Sequence, residues 1–115
     1  MTLNLSCIDL SVEDLLGCSF GLSKSEVSAL LVLLESEEWL LVAALATKLK
    51  KDRSVVQREL SSLLIKGLIE RDQRNKIGGG FEYLYRAKDK STIKKTILEK
   101  SRIFHDLIRK QVNSW

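Results

Sequence analysis

The hydrophobic period of this chain changes at Gly67, and that change restricts the fold more than any other feature of the sequence. Before it, apolar residues recur at helical spacing. Val42, Leu45, Ala46 and Leu49 form one stripe, on a compact helix from Leu41 or Val42 to Leu49. Val56, Leu60, Leu63 and Leu64 form a second, on a helix running to about Lys66. The polar turn Lys50-Lys51-Asp52-Arg53 separates them, and Asp52 or Ser54 can cap the second helix. Gly67 follows as a helix stop, because glycine tolerates the left-handed conformation. After it, Leu68–Asp72 reads as a strand and Gln73–Gly80 as a loop. Phe81, Tyr83, Tyr85 and Ala87 then alternate with Glu82, Leu84 and Arg86, as in a half-buried strand. Few folds accept two helices across a tight turn, a glycine stop and a hairpin in that order.

The flanks add further helices. Ser11-Val12-Glu13-Asp14 starts a short helix to about Leu16, ended by Gly17. Ser23 starts a stronger one, since Glu26 can reach back to the Ser23 amide and Val27, Leu30, Leu31 and Leu34 follow at helical spacing. The acidic cluster Glu35-Ser36-Glu37-Glu38 closes it, and Trp39-Leu40 makes a short strand. From Ser91 to about Asn113 nothing breaks a helix, which predicts roughly 23 residues and about 34 Å. Ile93, Ile97, Phe104, Ile108 and Trp115 form its apolar stripe, widened by Leu98, Ile103, Leu107 and Val112. So broad a surface exceeds what one small domain can cover. It predicts a homodimer joined through Ile93, Ile97, Phe104, Leu107, Ile108, Val112 and Trp115, with Leu3–Leu16 as a candidate addition. The spacing is not a clean heptad, so bundle-like packing is expected rather than a simple coiled coil. The alternative is intramolecular packing across the first helix.

Composition closes off other classes. The chain has 115 residues, 44% hydrophobic and 30% charged, which fits one folded domain. Its net charge of +4 conceals a polarity. Residues 1–40 carry seven acids and one base, whereas residues 41–80 and 81–115 each carry nine bases and four acids. A basic remainder raises the expectation of a polyanionic partner. The longest apolar run, Trp39–Ala46, is far shorter than the roughly 18 residues of a membrane span. Met1–Cys7 has no basic start of a signal peptide. Cys7, Cys18 and His105 are too few for a structural zinc site, which takes about four ligands. The cysteines read as reduced thiols of a cytoplasmic protein. His105 is the lone histidine and has no nucleophile placed beside it. No enzyme, metal or cofactor is expected.

The stretch Leu41–Arg71, followed by the hairpin, resembles the winged-helix DNA-binding domain of MarR-like and archaeal TrmB-like transcription regulators. The resemblance spans about Leu22–Ala87 and is clearest in the Gly67-Leu68-Ile69-Glu70-Arg71 exit and the Tyr83–Ala87 return strand. It departs at the turn, where the family often has glycine then an apolar residue and this chain has Lys50-Lys51. It departs again at Leu41, where a small polar cap is usual. The resemblance implies a mainly α fold with a small β-hairpin wing and a long C-terminal dimerisation helix. The chain then divides into an N-terminal segment (1–21), a winged-helix core (22–87) and the last helix (88–115). The implied function is sequence-specific binding of double-stranded DNA by a homodimeric transcriptional regulator, with the wing on the flanking backbone or minor groove. In some relatives a small effector sits between core and dimer helices, but no residue set here argues for one.

The residues support that expectation independently. If Val56, Leu60, Leu63 and Leu64 face the core, the opposite face presents Arg53, Ser54, Gln57, Arg58 and Ser61. Arg matches a guanine edge, Gln an adenine edge, and Ser either. Lys48, Lys50 and Lys51 are candidate backbone contacts, which position without specifying sequence. Arg74, Asn75 and Lys76 are placed at the wing tip, where basic residues suit phosphate or a narrow minor groove. Each of these has an ordinary solvated side chain as its alternative. The competing function is a winged helix used for protein–protein contact in the transcription machinery. RNA binding ranks lower, because no exposed aromatic platform is evident.

Overall fold

The computed structural model describes residues 10–115 of the chain. Two serine capping boxes open it. Ser11 precedes α1 (Val12–Phe20) and Ser23 precedes α2 (Lys24–Glu35). Each serine hydroxyl accepts the backbone amide of Asp14 or Glu26, and that residue's carboxylate accepts the serine's own amide. This satisfies two amides that a helix start otherwise leaves without partners. α1 does not stop at Gly17. It continues to Phe20, and Gly21 closes it with φ 65°. Leu16 and Phe20 lie one turn apart on the same face and both are buried, so the added turn brings Phe20 into the core. The part of Leu3–Leu16 before Leu10 lies outside the described residues, as does Cys7. Cys18 is a free, exposed thiol.

β1 (Leu40–Leu41) leads directly into α3 (Val42–Leu49), and α4 (Arg53–Ile65) follows. Leu41 is the residue before α3 and caps it with no side-chain hydrogen bond, being held instead as a strand residue opposite Leu84. In the turn, Lys50 takes φ 56°, the one positive φ of a non-glycine residue among those described. Its amide donates to the Thr47 carbonyl, and the Lys51 amide donates to Ala46 at 3.1 Å. A lysine thus adopts the conformation for which glycine is better suited. At the far end of α4, Gly67 (φ 74°) donates to Leu64, and Leu68 donates to Leu63. This paired closure satisfies the Leu63 and Leu64 carbonyls in the last turn of α4.

β2 (Ile69–Asn75) and β3 (Phe81–Ala87) form the hairpin, and β1 adds to its other side in the order β1-β3-β2, all antiparallel. β2 outlasts the predicted strand because Gln73, Arg74 and Asn75 find partners in Tyr83, Glu82 and Phe81. Arg74 Nε lies 2.7 Å from Glu82 Oε1. The connection shrinks to Lys76–Gly80, closed by the Lys76 amide on the Gly80 carbonyl at 3.0 Å. Gly78, Gly79 and Gly80 all have positive φ, a succession that side chains would strain.

The core gathers Leu16, Phe20, Val27, Leu30, Leu33, Leu45, Val56, Leu60, Leu63, Leu68, Ile69, Tyr85 and Ile93. α5 (Lys90–Ser114) has 25 residues. Its first half packs on α1, with Ile93 buried and Ile97 against the core. Lys100 there donates to the Ser19 carbonyl at 2.8 Å and sits over the Phe20 ring. Every residue from Ser101 onward is exposed, and the chain measures 65 × 24 × 23 Å. The first half of this helix is therefore anchored within the chain through Ile93 and Ile97, while Leu98 and the second half keep an open apolar face. Among the described residues no single helix is long and apolar enough to cross a membrane.

Candidate nucleic-acid interface

α4 turns its apolar side inward through Val56, Leu60 and Leu63, all fully buried. That orientation leaves Arg53, Ser54, Gln57, Arg58 and Ser61 exposed, as the apolar stripe predicts. They do not share one environment. Arg53 and Gln57, one turn apart, line a cleft of about 350 Å³ between α4 and the hairpin, together with Lys76, Glu82, Tyr83 and Tyr85. Ser54, Arg58 and Ser61 follow a separate line along the helix, since residues three and four apart share a face. Arg58 borders a shallow hollow with Ser23, Ser25 and Glu26. The Ser61 hydroxyl donates back to the Gln57 carbonyl at 3.0 Å, so its proton is already engaged.

The turn forms a second, open hollow lined by Thr47, Lys50, Lys51, Asp52 and Arg53. Arg53 borders both spaces and joins them. Lys48 and Lys50 are exposed. Lys51 is not free as the sequence suggests: its ammonium lies 3.0 Å from Glu59 Oε1 and is half-buried. Glu59 points inward at only 7% exposure, and its other carboxylate oxygen has no hydrogen-bond partner. A buried carboxylate needs a counter-charge, and Lys51 supplies it. Glu59 is easily missed in the sequence because it interrupts an apolar stripe. The signal that could have found it is its neighbour Leu60 with Val56, which fixes the inward face.

The wing residues separate likewise. Arg74 and Asn75 belong to β2 and not to the tip, and the Arg74–Glu82 pair neutralises that arginine locally. Lys76 alone of the three begins the tip, exposed and bordering the cleft. On the hairpin, Phe81 meets Tyr83 edge-on at 5.4 Å, and the Arg71 guanidinium covers the Tyr83 ring at 4.2 Å. A second stack places Arg86 over Trp39. Tyr85, read from alternation as a half-buried strand residue, is 1% exposed and receives a hydrogen bond from Gln57 Nε2 at 3.2 Å.

Of the residues expected on the last helix, Ile93 and Ile97 serve the chain's own core. Phe104, Leu107, Ile108, Val112 and Trp115 are exposed, as are Leu98 and Ile103.

This order of elements, with a three-stranded sheet and the basic turn beside an exposed helix, is the winged helix-turn-helix. The family described as sugar-specific transcriptional regulator TrmB matches residues 16–91. The chain belongs to the TrmB family. The match runs from α1 to the first turn of α5 and takes in every element of the winged helix. Among relatives of this TrmB-family chain, the uncharacterized protein MJ1503 of Methanocaldococcus jannaschii is 32% identical over 103 residues, covering 86% of this chain and 77% of that protein. A solved structure described as a possible transcriptional regulator from Methanosarcina mazei Go1 superposes with a TM-score of 0.88 at 28% identity, covering 100% of this chain and 97% of that one. MarR shares the fold at a TM-score of 0.56 and 24% identity, over 86% of this chain and 73% of MarR. The TrmB-family chain is a transcriptional regulator and not an enzyme.

Proposed function

We propose that this regulator binds double-stranded DNA in a sequence-specific manner as a homodimer. The observation that carries the reading is the continuity of the exposed α4 face with two concave surfaces in each of which bases outnumber acids: the turn hollow on one side and the wing cleft on the other, with Arg53 bordering both. An α-helix fits the major groove, and Arg58, Ser54 and Gln57 offer the groups that read base edges there. Lys48, Lys50 and Lys76 supply charge at the edges of that face, where phosphates pass. Lys51 and Arg74 contribute less, because each already holds a carboxylate. The protein acts in the cytoplasm.

A second copy accounts for the outer half of α5. Six large apolar side chains are exposed there, from Ile103 to Trp115, and Leu98 precedes them, more than scattered surface residues explain. A twofold interface is self-complementary, so the same stripe covers itself on its partner. Two recognition helices then lie about one DNA turn apart, roughly 34 Å, and favour a palindromic site.

Selection from a random duplex pool tests both halves. The expected product is a palindromic site bound with steep salt dependence. Absence of duplex binding at low salt overturns the DNA reading. A monomeric mass at micromolar concentration overturns the dimer.

A further inference from the structure

Tyr85 fills the middle of the core from β3, between Leu40 on β1 and Arg71 on β2. A phenol buried to this degree needs a partner for its hydroxyl. The partner is Gln57 Nε2 at 3.2 Å, on the exposed face of α4. Among the described residues this is the one hydrogen bond between side chains that joins a helix to the sheet.

The chemistry of the amide makes the contact informative. A glutamine carries two N–H donors and one carbonyl acceptor. Tyr85 engages one donor and leaves one donor and the acceptor, the pair that matches the N7 and N6 positions of adenine. Holding the side chain also removes rotamer freedom before any ligand arrives, so less is lost on binding. Gln57 is thus anchored at the floor of the wing cleft, although it looks like a free surface residue.

We propose that Tyr85 is a positioning residue for base recognition: it holds Gln57 in the orientation that reads one base pair in each half-site, without itself touching DNA. The inference rests on the DNA-binding reading above.

The test is duplex selection with full-length wild type, Gln57→Ala and Tyr85→Phe, together with low-salt affinity for unrelated duplex and thermal melting. Gln57→Ala should relax preference at one base pair per half-site. Tyr85→Phe should relax that same base pair by about two- to tenfold, the worth of one pre-ordered side chain. It should leave the other positions and the unspecific affinity unchanged, which a merely structural role would not do. A Tyr85→Phe profile identical to wild type, or relaxed evenly at all positions, overturns the proposal, as does a Gln57→Ala profile without change. Absence of duplex binding by wild type removes the DNA reading and this proposal with it. Hydrogen exchange of side-chain amides in the wild-type protein supplies a readout independent of any variant and of DNA. Gln57 should exchange more slowly than the exposed Gln73 and Gln111, and equal rates overturn the anchor itself.

Discussion

Lys50 occupies a left-handed backbone position that disfavours an L side chain by about 1–2 kcal/mol. Glycine there removes that strain but adds unfolded-state freedom worth roughly 0.5–1 kcal/mol. The relief of strain outweighs the added freedom, so Lys50→Gly should raise stability by about 0.5–1 kcal/mol in a denaturant titration. The same change removes a cation from the turn hollow and should weaken duplex binding evenly across sequences. Lys51 behaves differently from its neighbour. Its ammonium serves the buried Glu59, so Lys51→Ala should cost stability, about 1–3 kcal/mol for a carboxylate left without its partner. Lys48→Ala, at an exposed position, should lower duplex affinity and leave the denaturation midpoint in place. The residue types at the turn and on α4 were readable from the chain, and so was the burial of Val56 and Leu60. The pairings were not. Gln57 with Tyr85 spans 28 residues and Arg74 with Glu82 spans eight, and no local pattern announces either.

At the scale of the element, the helix starts were the most legible feature. The Ser23–Glu26 box depends on neighbours within one turn, which sequence displays directly. The Glu26 carboxyl is held below the usual range, chiefly by the Ser23 backbone amide and next by the Ser62 hydroxyl; burial opposes them less strongly, and the Ser23 hydroxyl and then the Lys66 ammonium add the smallest lowering effects. A carboxyl with a depressed folded-state pKa stabilises the fold fully above its unfolded pKa, about 4.3 for glutamate. That contribution fades as pH falls through the depressed value. Thermal melts should therefore decline with acidification below pH ~4, and Glu26→Gln should flatten part of that decline. Ser23→Ala should cost about 1 kcal/mol at neutral pH, the usual worth of an N-cap. Element ends that depend on distant partners were less legible. α1 runs past Gly17 because Phe20 finds the core, and β2 runs past Asp72 because β3 offers it a ladder. In each case packing extended the element beyond its local stop signal.

At the scale of the molecule, the long axis of 65 Å comes from α5 reaching past the domain it is rooted in. Phe104→Glu with Ile108→Glu should shift sedimentation from dimer to monomer and reduce affinity for a palindromic site far more than for a half-site. The winged-helix core should keep its melting transition, because Ile93 and Ile97 hold the root of the helix. A chain that stays dimeric with both substitutions would place the interface elsewhere. By itself the sequence determined the order of elements, their periods, the inward face of α4 and the family, since these follow from side chains a few positions apart. Tertiary structure alone decided which polar groups remain free. Lys51 is engaged by Glu59, Arg74 by Glu82 and Gln57 by Tyr85, while Arg53 and Lys76 are brought to one cleft from elements 23 residues apart in sequence. Hydrophobic pattern is a property of local spacing. The availability of a charge depends on what the fold sets within about 3 Å of it.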